Sequence, residues 1–248
     1  MWGTIHSGSR QFGQKVCLYW QNAPAKAKEE EAKEKFKAGL EHIKKTYKGK
    51  DIEKNIKELR KYLSVGQGVS HYLDFLTGED MYGYLTDMIF TSVYAQENRR
   101  HMGKVLTKTL RTQAVRIIET VHNYIDFNDL IIRKGAVSAH EGEDIIIPFN
   151  MEDGILLCRG KGNADWNYSA PHGAGRVMSR RYAKENCSAE LAAQRMQDKD
   201  IYTSVVPVDE VKEAYKDPAT IEKAIGPTVD VISHLIPILN MKEGNIDD

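Results

Sequence analysis

The sequence lacks the features that mark a membrane or secreted protein. None of its apolar runs is long enough to cross a bilayer, and its mean hydropathy is −0.50. The first residues, Met1 to His6, contain no basic segment followed by an apolar stretch, as a secretory signal would. These absences predict a cytoplasmic protein. With 248 residues, the chain is long enough for one large domain or two small ones.

Cysteine is scarce and net charge is absent. Cys17, Cys158 and Cys187 are the three cysteines, and they form neither an even disulfide framework nor a Cys-x-x-Cys metal motif. We therefore expect reduced thiols. Lys and Arg total 35, as do Asp and Glu, so the formal net charge is zero. Because positive charge drives non-specific binding to nucleic acids, any affinity for RNA or DNA requires a local basic patch.

The first half of the chain is predicted to be mostly helical. A short strand and a tight turn are predicted over 5–10. Over 26–61 the composition shifts to Lys, Glu and Ala, and apolar residues recur at steps of three and four on either side of Gly49. This pattern predicts a charged hairpin of two helices over 26–63. A second helical block is predicted over 78–121, which contains no proline.

The second half begins with short aliphatic runs that alternate with glycine-containing turns. The runs 130–133, 144–148 and 154–159 predict an antiparallel sheet. A long loop is predicted from Gly160 to Gly175, followed by further helices, of which the last two cover 209–224 and 229–239. Because helices and strands occupy separate blocks, we predict an α+β fold, with an antiparallel sheet core surrounded by helices.

The densest polar cluster lies in the predicted loop and just after it. His172 is followed by Gly173-Ala174-Gly175, small residues that let the backbone approach a ligand and form an anion nest. Arg176, Arg180 and Arg181 would add charge-assisted phosphate contacts, and a helix beginning near Val177 would add positive potential. The cluster predicts a phosphate site that contains an imidazole. The alternative is a glycine-rich surface loop with a solvated histidine.

Two more histidines and two more cations are candidates. His6 and His122 each lie at the end of an apolar run, a common position for metal ligands, although a core or capping role is the alternative. Arg133 and Lys134 end a predicted strand and could contact a phosphodiester. The alternative is that these cations pair with acidic residues of the same region, namely Glu141, Glu143, Asp144, Glu152 and Asp153.

Five ordered motifs resemble those of the RtcB family of RNA-splicing ligases. They are His6-Ser7-Gly8-Ser9-Arg10, His122-Asn123-Tyr124, Arg133-Lys134-Gly135-Ala136, Pro148-Phe149-Asn150-Met151 and His172-Gly173-Ala174-Gly175-Arg176. Ala214-Tyr215-Lys216-Asp217 and Lys242-x-Gly244 match motifs near the C-terminus of family members. The resemblance runs from residue 2 to residue 244. It implies an RtcB-like fold over 1–248, into which the charged hairpin of 26–63 is inserted.

The resemblance implies joining of RNA ends that depends on GTP and manganese. An RNA 3′-phosphate or 2′,3′-cyclic phosphate is joined to a 5′-hydroxyl through a histidine–GMP intermediate. In this family His172 matches the guanylylated nucleophile, and His6 and His122 match manganese ligands. Guanylate-contacting positions are matched by His122, Asn123, Pro148, Phe149, Asn150, Met151, His172, Gly173, Ala174, Gly175, Tyr215 and Lys242. Arg133, Lys134, Arg176 and Arg180 are the predicted contacts to RNA phosphates.

The chain also departs from the family pattern. Family members have an N-terminal half with Asp-x-x-Cys and Gly-Asn-His-Phe segments that carry further metal ligands, and neither segment occurs here. Phe149-Asn150 replaces a Gly-Ser pair, which indicates a divergent branch, and the identity of its RNA substrate, tRNA or another RNA, stays open at this point. We therefore expect a nucleophile-bearing part of the ligase that needs the N-terminal half. The alternatives are a non-catalytic RNA- or nucleotide-binding remnant and a metal-dependent phosphoesterase.

Overall fold

A computed structural model describes residues 1–63 and 75–242. The chain divides into two compact units. The helical unit covers Gly3–Gln113, and the sheet unit covers Ala114–Asp248 together with Met1–Trp2. Gly244 of the predicted Lys242-x-Gly244 motif lies outside the described residues. In the described parts of the chain, none of the helices combines the length and the apolar character needed to cross a membrane.

The described residues of the helical unit form three helices, α1 (Arg10–Thr46), α2 (Lys50–Tyr62) and α3 (Gly78–Thr109). The predicted break between the first two is confirmed. Gly49 has a φ of +59°, a conformation that glycine adopts without strain, and α2 begins directly after it. The two helices approach closely where Gly39 faces Leu59, since a Cβ at Gly39 would lie 2.7 Å from a Leu59 methyl group.

The strand predicted over 5–10 is wrong. Residues before α1 form no regular structure, and their backbone is held by side chains of α3. Asn98 Nδ2 donates to Gly8 O at 3.2 Å, and Arg99 Nη1 donates to Ser7 O at 3.1 Å. Side-chain donors thus replace the partner strand that this segment would otherwise need.

The helical block predicted over 78–121 ends earlier than expected. Helix α3 stops at Thr109, and Arg111 has a φ of +50°. A left-handed residue cannot continue a right-handed helix, so residues 112–121 leave the helix axis. Within the unit, α1 and α3 pack where Trp20 lies against Gly83, and Trp20 Nε1 donates to Asp87 Oδ2 at 2.9 Å.

Up to residue 242, the sheet unit forms four small sheets and three α-helices. Antiparallel pairs are formed by β1 (Asn123–Asp126) with β2 (Ile131–Lys134), and by β3 (Ala136–Ser138) with β6 (Ser169–Pro171). A three-stranded antiparallel sheet has the order β4 (Asp144–Pro148), β5 (Ile155–Gly160), β8 (Val229–Leu235). Strands β7 (Tyr202–Thr203) and β9 (Leu239–Asn240) are parallel. The helices are α4 (Arg180–Asn186), α5 (Ala189–Asp198) and α6 (Pro218–Ile225).

The main core lies between the three-stranded sheet and α6. Ile145 and Ile147 of β4 alternate inward, opposite Leu156 and Cys158 of β5, and Ile225 of α6 packs against them. The predicted antiparallel pairing of 144–148 with 154–159 is therefore confirmed. The first predicted run, 130–133, is not part of this sheet, because β2 pairs with β1. Burial raises the pKa of the Cys158 thiol to about 11, so this cysteine is protonated at neutral pH.

Two helix predictions near the end of the chain need correction. The segment predicted as a helix over 229–239 contains strand β8, whose β-branched residues pair with β5. Of the helix predicted over 209–224, only the part from Pro218 onward is α-helical, because Asp217 caps α6 by accepting from the N–H groups of Ala219 and Thr220. The helices and small antiparallel sheets together agree with the predicted α+β class.

Candidate active site around His172

His172 comes directly after strand β6, which places it beside Gly135. The β3–β6 register pairs Ala136 with Pro171, so the residues that flank these strands are neighbours. Gly135 has a φ of +71°, and its carbonyl oxygen lies 2.6 Å from His172 Nδ1. Since a carbonyl oxygen can only accept, Nδ1 of the neutral ring carries the proton. The lone pair of His172 is therefore on Nε2, the atom that faces away from Gly135.

His122 and Asn123 meet His172 at the same glycine. The Gly135 N–H donates to His122 O at 3.3 Å and to Asn123 Oδ1 at 3.1 Å. The ring centroids of His122 and His172 are 4.9 Å apart, with an interplanar angle of 37°. Both histidines are half-buried. These contacts at Gly135 join three of the five predicted motifs.

The Pro148 segment contacts the loop that follows His172 through its backbone. Pro148 O accepts from the Ala174 N–H at 3.1 Å, and a Cβ at Gly173 would lie 2.9 Å from the same oxygen. Phe149 and Met151 are buried in two core clusters. Asn150 Oδ1 accepts from the N–H groups of Glu152 and Asp153, and its Nδ2 donates to Asp153 Oδ2. The side chains of 149–151 therefore hold this segment in place.

The loop from Gly173 to Gly175 exposes backbone donors. Ala174 is buried and anchors the loop in the core, while Gly175 has a φ of +69°. Among the described residues, none accepts a hydrogen bond from the N–H of Gly173 or of Gly175. A Cβ at Gly175 would lie 3.9 Å from Lys216 Nζ. Two N–H groups without protein acceptors beside an ammonium group form an arrangement that favours an anion.

Arg176 lies at the end of this loop and contacts Tyr215. Its guanidinium carbon lies 5.1 Å from the centroid of the Tyr215 ring, and Nη1 donates to the tyrosine hydroxyl at 3.3 Å. Nη2 donates to Asp209 O at 2.7 Å. The Arg180 guanidinium, from the first turn of α4, donates to Asp209 Oδ2 at 2.5 Å. The helix predicted near Val177 begins at Arg180, because Ser179 caps it.

Asp209 and Glu210 organise these cations and were not predicted as site residues. Burial opposes ionisation of Asp209, yet the hydrogen bond from Arg180 and a backbone N–H keep its pKa below the ordinary value. Glu210 pairs with Lys242 at 2.7 Å and lies 3.7 Å from Arg180. The one available signal was their position, an acidic pair just before the motif that contains Tyr215.

Arg133 does not lie where an RNA phosphate could contact it. Its side chain is 1% exposed and pairs with Asp126 at 2.7 Å and Asp129 at 2.9 Å, and it also donates to Ser169 Oγ. The alternative of an internal ion pair is therefore correct for Arg133, although its partners differ from the acidic residues predicted. Lys134 is exposed at the end of β2, where a phosphate could reach it.

The two predicted manganese ligands lie in different units of the chain. His6 belongs to the helical unit and His122 to the sheet unit. The described residues contain no group of three or more His, Cys, Asp or Glu that could hold a metal ion. Two imidazoles alone are fewer ligands than a divalent transition metal takes. The residues present therefore do not fit a manganese site by themselves.

Comparisons with known proteins extend over nearly the whole chain. A family model described as "tRNA-splicing ligase RtcB" matches residues 1–243. The RNA-splicing ligase RtcB of Escherichia coli K12 is 29% identical over 259 aligned positions, which cover 98% of this chain and 56% of that relative. RNA-splicing ligase RtcB1 of a second Escherichia coli strain gives the same values. The tRNA-splicing ligase RtcB of Aeropyrum pernix is 38% identical over 82 positions, or 31% of this chain. The chain thus spans about half the length of the Escherichia coli relatives.

Proposed function

Since the chain belongs to the RtcB family, we propose that it serves in the joining of RNA ends, with His172 as the residue that carries the guanylyl group. The observation that carries this proposal is the 2.6 Å hydrogen bond between His172 Nδ1 and the Gly135 carbonyl. It leaves Nε2 with its lone pair, as a nucleophile requires. In the proposed first step Nε2 forms a bond to the α-phosphorus of GTP, and pyrophosphate leaves with the electrons of the broken P–O bond.

In the steps that follow, the RNA ends take over the guanylyl group and then release it. An RNA 3′-phosphate oxygen displaces His172 from phosphorus and receives GMP. The 5′-hydroxyl then attacks the RNA phosphorus, loses its proton and displaces GMP. A 2′,3′-cyclic phosphate is first opened by water. The proposed substrates are therefore GTP and two RNA ends.

The surroundings of His172 support binding of the phosphates. The loop that follows His172 contributes the N–H groups of Gly173 and Gly175, and Lys216 Nζ lies beside it. These three donors would neutralise the negative charge that develops on the α-phosphate. Arg176 and Tyr215 form the adjoining wall. We assign the nucleotide to this loop, with Lys242 as a further contact, and the RNA phosphates to Arg176, Arg180 and Lys134.

Manganese is proposed only as a partner that needs more ligands. His6 and His122 are the two imidazoles that the family resemblance assigns to it. The remaining ligands would come from polypeptide that corresponds to the part of the relatives which this chain does not span. We derive no step of the reaction through the metal, and we expect this chain alone to be poorly active.

Covalent labelling tests the proposal. The chain is incubated with GTP labelled at the α-phosphate and manganese, either alone or with the N-terminal half of the Escherichia coli K12 relative, and is then separated under denaturing conditions. We expect weak labelling alone and strong, acid-labile labelling with the added half. The label should be lost in His172→Ala and kept in His101→Ala, a control in the helical unit.

Three results would contradict the proposal. Labelling that persists in His172→Ala would exclude this residue as the nucleophile. Strong labelling of the isolated chain would exclude the need for further polypeptide. GTP or RNA binding without covalent labelling under either condition would favour the non-catalytic remnant.

Glu210 competes with phosphates for the cations of this site, which gives a further prediction. Its carboxylate pairs with Lys242 and lies near Arg180. We expect Glu210→Gln to bind GTP about two- to fivefold more tightly, since an ion pair at this exposure contributes at most about 1 kcal/mol. Isothermal titration calorimetry measures the change. Glu185→Gln, which removes the partner of the exposed Arg181, is the control and should leave the affinity unchanged. Equal affinities for wild type and Glu210→Gln would refute the competition.

A further inference from the structure

The orientation of the His172 ring depends on Gly135, and glycine has the most flexible backbone of the twenty residue types. Its carbonyl accepts from both the backbone N–H and Nδ1 of His172, at 3.4 Å and 2.6 Å. A glycine can rotate about φ and ψ at little steric cost. The carbonyl will therefore point at His172 only if other contacts hold the glycine.

Asn123 supplies such a contact from the other side of the glycine. Its Oδ1 accepts from the Gly135 N–H at 3.1 Å, and the neighbouring His122 carbonyl accepts from the same N–H at 3.3 Å. Asn123 lies opposite Lys134 in the β1–β2 hairpin, so the hairpin register brings its side chain to this turn. The two acceptors fix the peptide on the N-terminal side of Gly135, while His172 binds the carbonyl on its C-terminal side.

We propose that Asn123 is a positioning residue that, through Gly135, holds His172 in the tautomer with the proton on Nδ1. Its side chain acts two hydrogen bonds away from the ring. When the Asn123 acceptor is removed, the His122 carbonyl still accepts from the Gly135 N–H, but at 3.3 Å. Gly135 is then held less firmly, and its carbonyl selects one tautomer less strongly. The ring then also populates the form with the proton on Nε2, which has no lone pair on that atom to attack phosphorus.

Nuclear magnetic resonance of the full chain labelled with ¹⁵N-histidine tests this role. Spectra are recorded at about pH 8.5, where an ordinary imidazole is neutral, and the His172 signals are assigned by their loss in His172→Ala. We expect wild-type His172 to show the Nδ1–H form. In Asn123→Ala the ratio of Nδ1–H to Nε2–H should fall by about fivefold, the factor that corresponds to one neutral hydrogen bond.

Two matched variants separate positioning from a general loss of structure. Asn123→Asp keeps the acceptor oxygen and should retain the wild-type tautomer ratio. Asn186→Ala removes an exposed asparagine that donates only to its own helix, at Tyr182 O, and should also leave the ratio unchanged. An Asn123→Ala variant in which His172 keeps the wild-type ratio would overturn the proposal.

The catalytic consequence of this role rests on the proposed guanylylation of His172. Labelling by GTP should slow in Asn123→Ala, in parallel with the tautomer ratio. The two hypotheses fail separately, because the tautomer ratio is measured without GTP, metal or RNA. Absent labelling of wild type would contradict the ligase function, whereas an unchanged tautomer ratio would contradict the role of Asn123.

Discussion

Replacement of Arg133 by methionine should destabilise the sheet unit by about 3–5 kcal/mol, the range for breaking a buried ion pair from one side. Methionine fills a similar volume, so the cost comes from the charges left behind. Asp126 and Asp129 would lose their shared cation while 13% and 19% exposed. Ser169 and the Tyr124 hydroxyl would each lose a hydrogen bond from the guanidinium.

Urea unfolding followed by circular dichroism measures this loss. Arg159→Met is the matched control, because Arg159 also pairs with an aspartate, Asp144, but is 51% exposed. Exposed pairs contribute about 0–1 kcal/mol, so this variant should unfold almost as wild type does. A free energy of unfolding for Arg133→Met as high as that of the control would show that the buried pair is not a main source of stability.

The ion pair between Arg133 and Asp129 also makes the free energy of unfolding depend on pH. Burial raises the pKa of Asp129, but hydrogen bonds from Arg133, the Ile131 N–H and His140 outweigh it and leave the pKa below the ordinary value. A depressed pKa contributes stability that is present above the unfolded pKa of about 3.9 and is lost as the pH falls through the folded value. The stability of wild type should therefore decline below about pH 4, and Arg133→Met should lose less on the same acidification.

Substitution of Gly173 by alanine should slow guanylyl labelling by about 100-fold. The added Cβ would lie 2.9 Å from Pro148 O, closer than the two atoms can approach, so the backbone of the loop must move. That movement would carry His172 with it and weaken the Ala174 N–H bond to the same oxygen. Misplacement of a reacting group by about 1 Å is enough to lower a rate by about 100-fold.

A glycine in open space provides the control for this prediction. Gly226→Ala adds the same methyl group where nothing lies within 4 Å, and its labelling rate should equal that of wild type. Both variants are compared in the presence of the N-terminal half of the relative, with circular dichroism to establish that they are folded. A Gly173→Ala rate within about twofold of wild type would show that the contact with Pro148 does not position the nucleophile.

Local patterns predicted the parts of the fold whose structure depends on neighbours in sequence. The aliphatic run over 144–148, separated from the next run by a glycine-containing turn, predicted β4, and Gly49 predicted the break between α1 and α2. Strand β8 was missed, because its aliphatic residues suit a helix as well as a strand. Its conformation is decided by pairing with β5, more than 60 positions earlier in the chain.

In the candidate site, too, local sequence predicted some features, and contacts between distant residues decided the others. His122 and His172 were both predicted as site residues from their local surroundings. The sequence did not predict that the centroids of their rings would lie 4.9 Å apart, beside Gly135. Arg133 was predicted as a phosphate contact because it ends a strand beside another cation. The fold of the β1–β2 hairpin instead brings Asp126 and Asp129 around it. Asp209 and Glu210 were overlooked because their cationic partners lie about 30 positions away.

By itself, the sequence determined the α+β class, most helices, the β4–β5 pair and the order of motifs that the RtcB family shares. These follow from periodicity and turn chemistry, which act over a few residues. Only the tertiary structure decided which cations are buried, where β8 pairs and which histidine nitrogen bears the proton. Burial, strand pairing and tautomer selection depend on partners far apart in the chain, such as Gly135 and His172, and folding alone brings those partners within hydrogen-bonding distance.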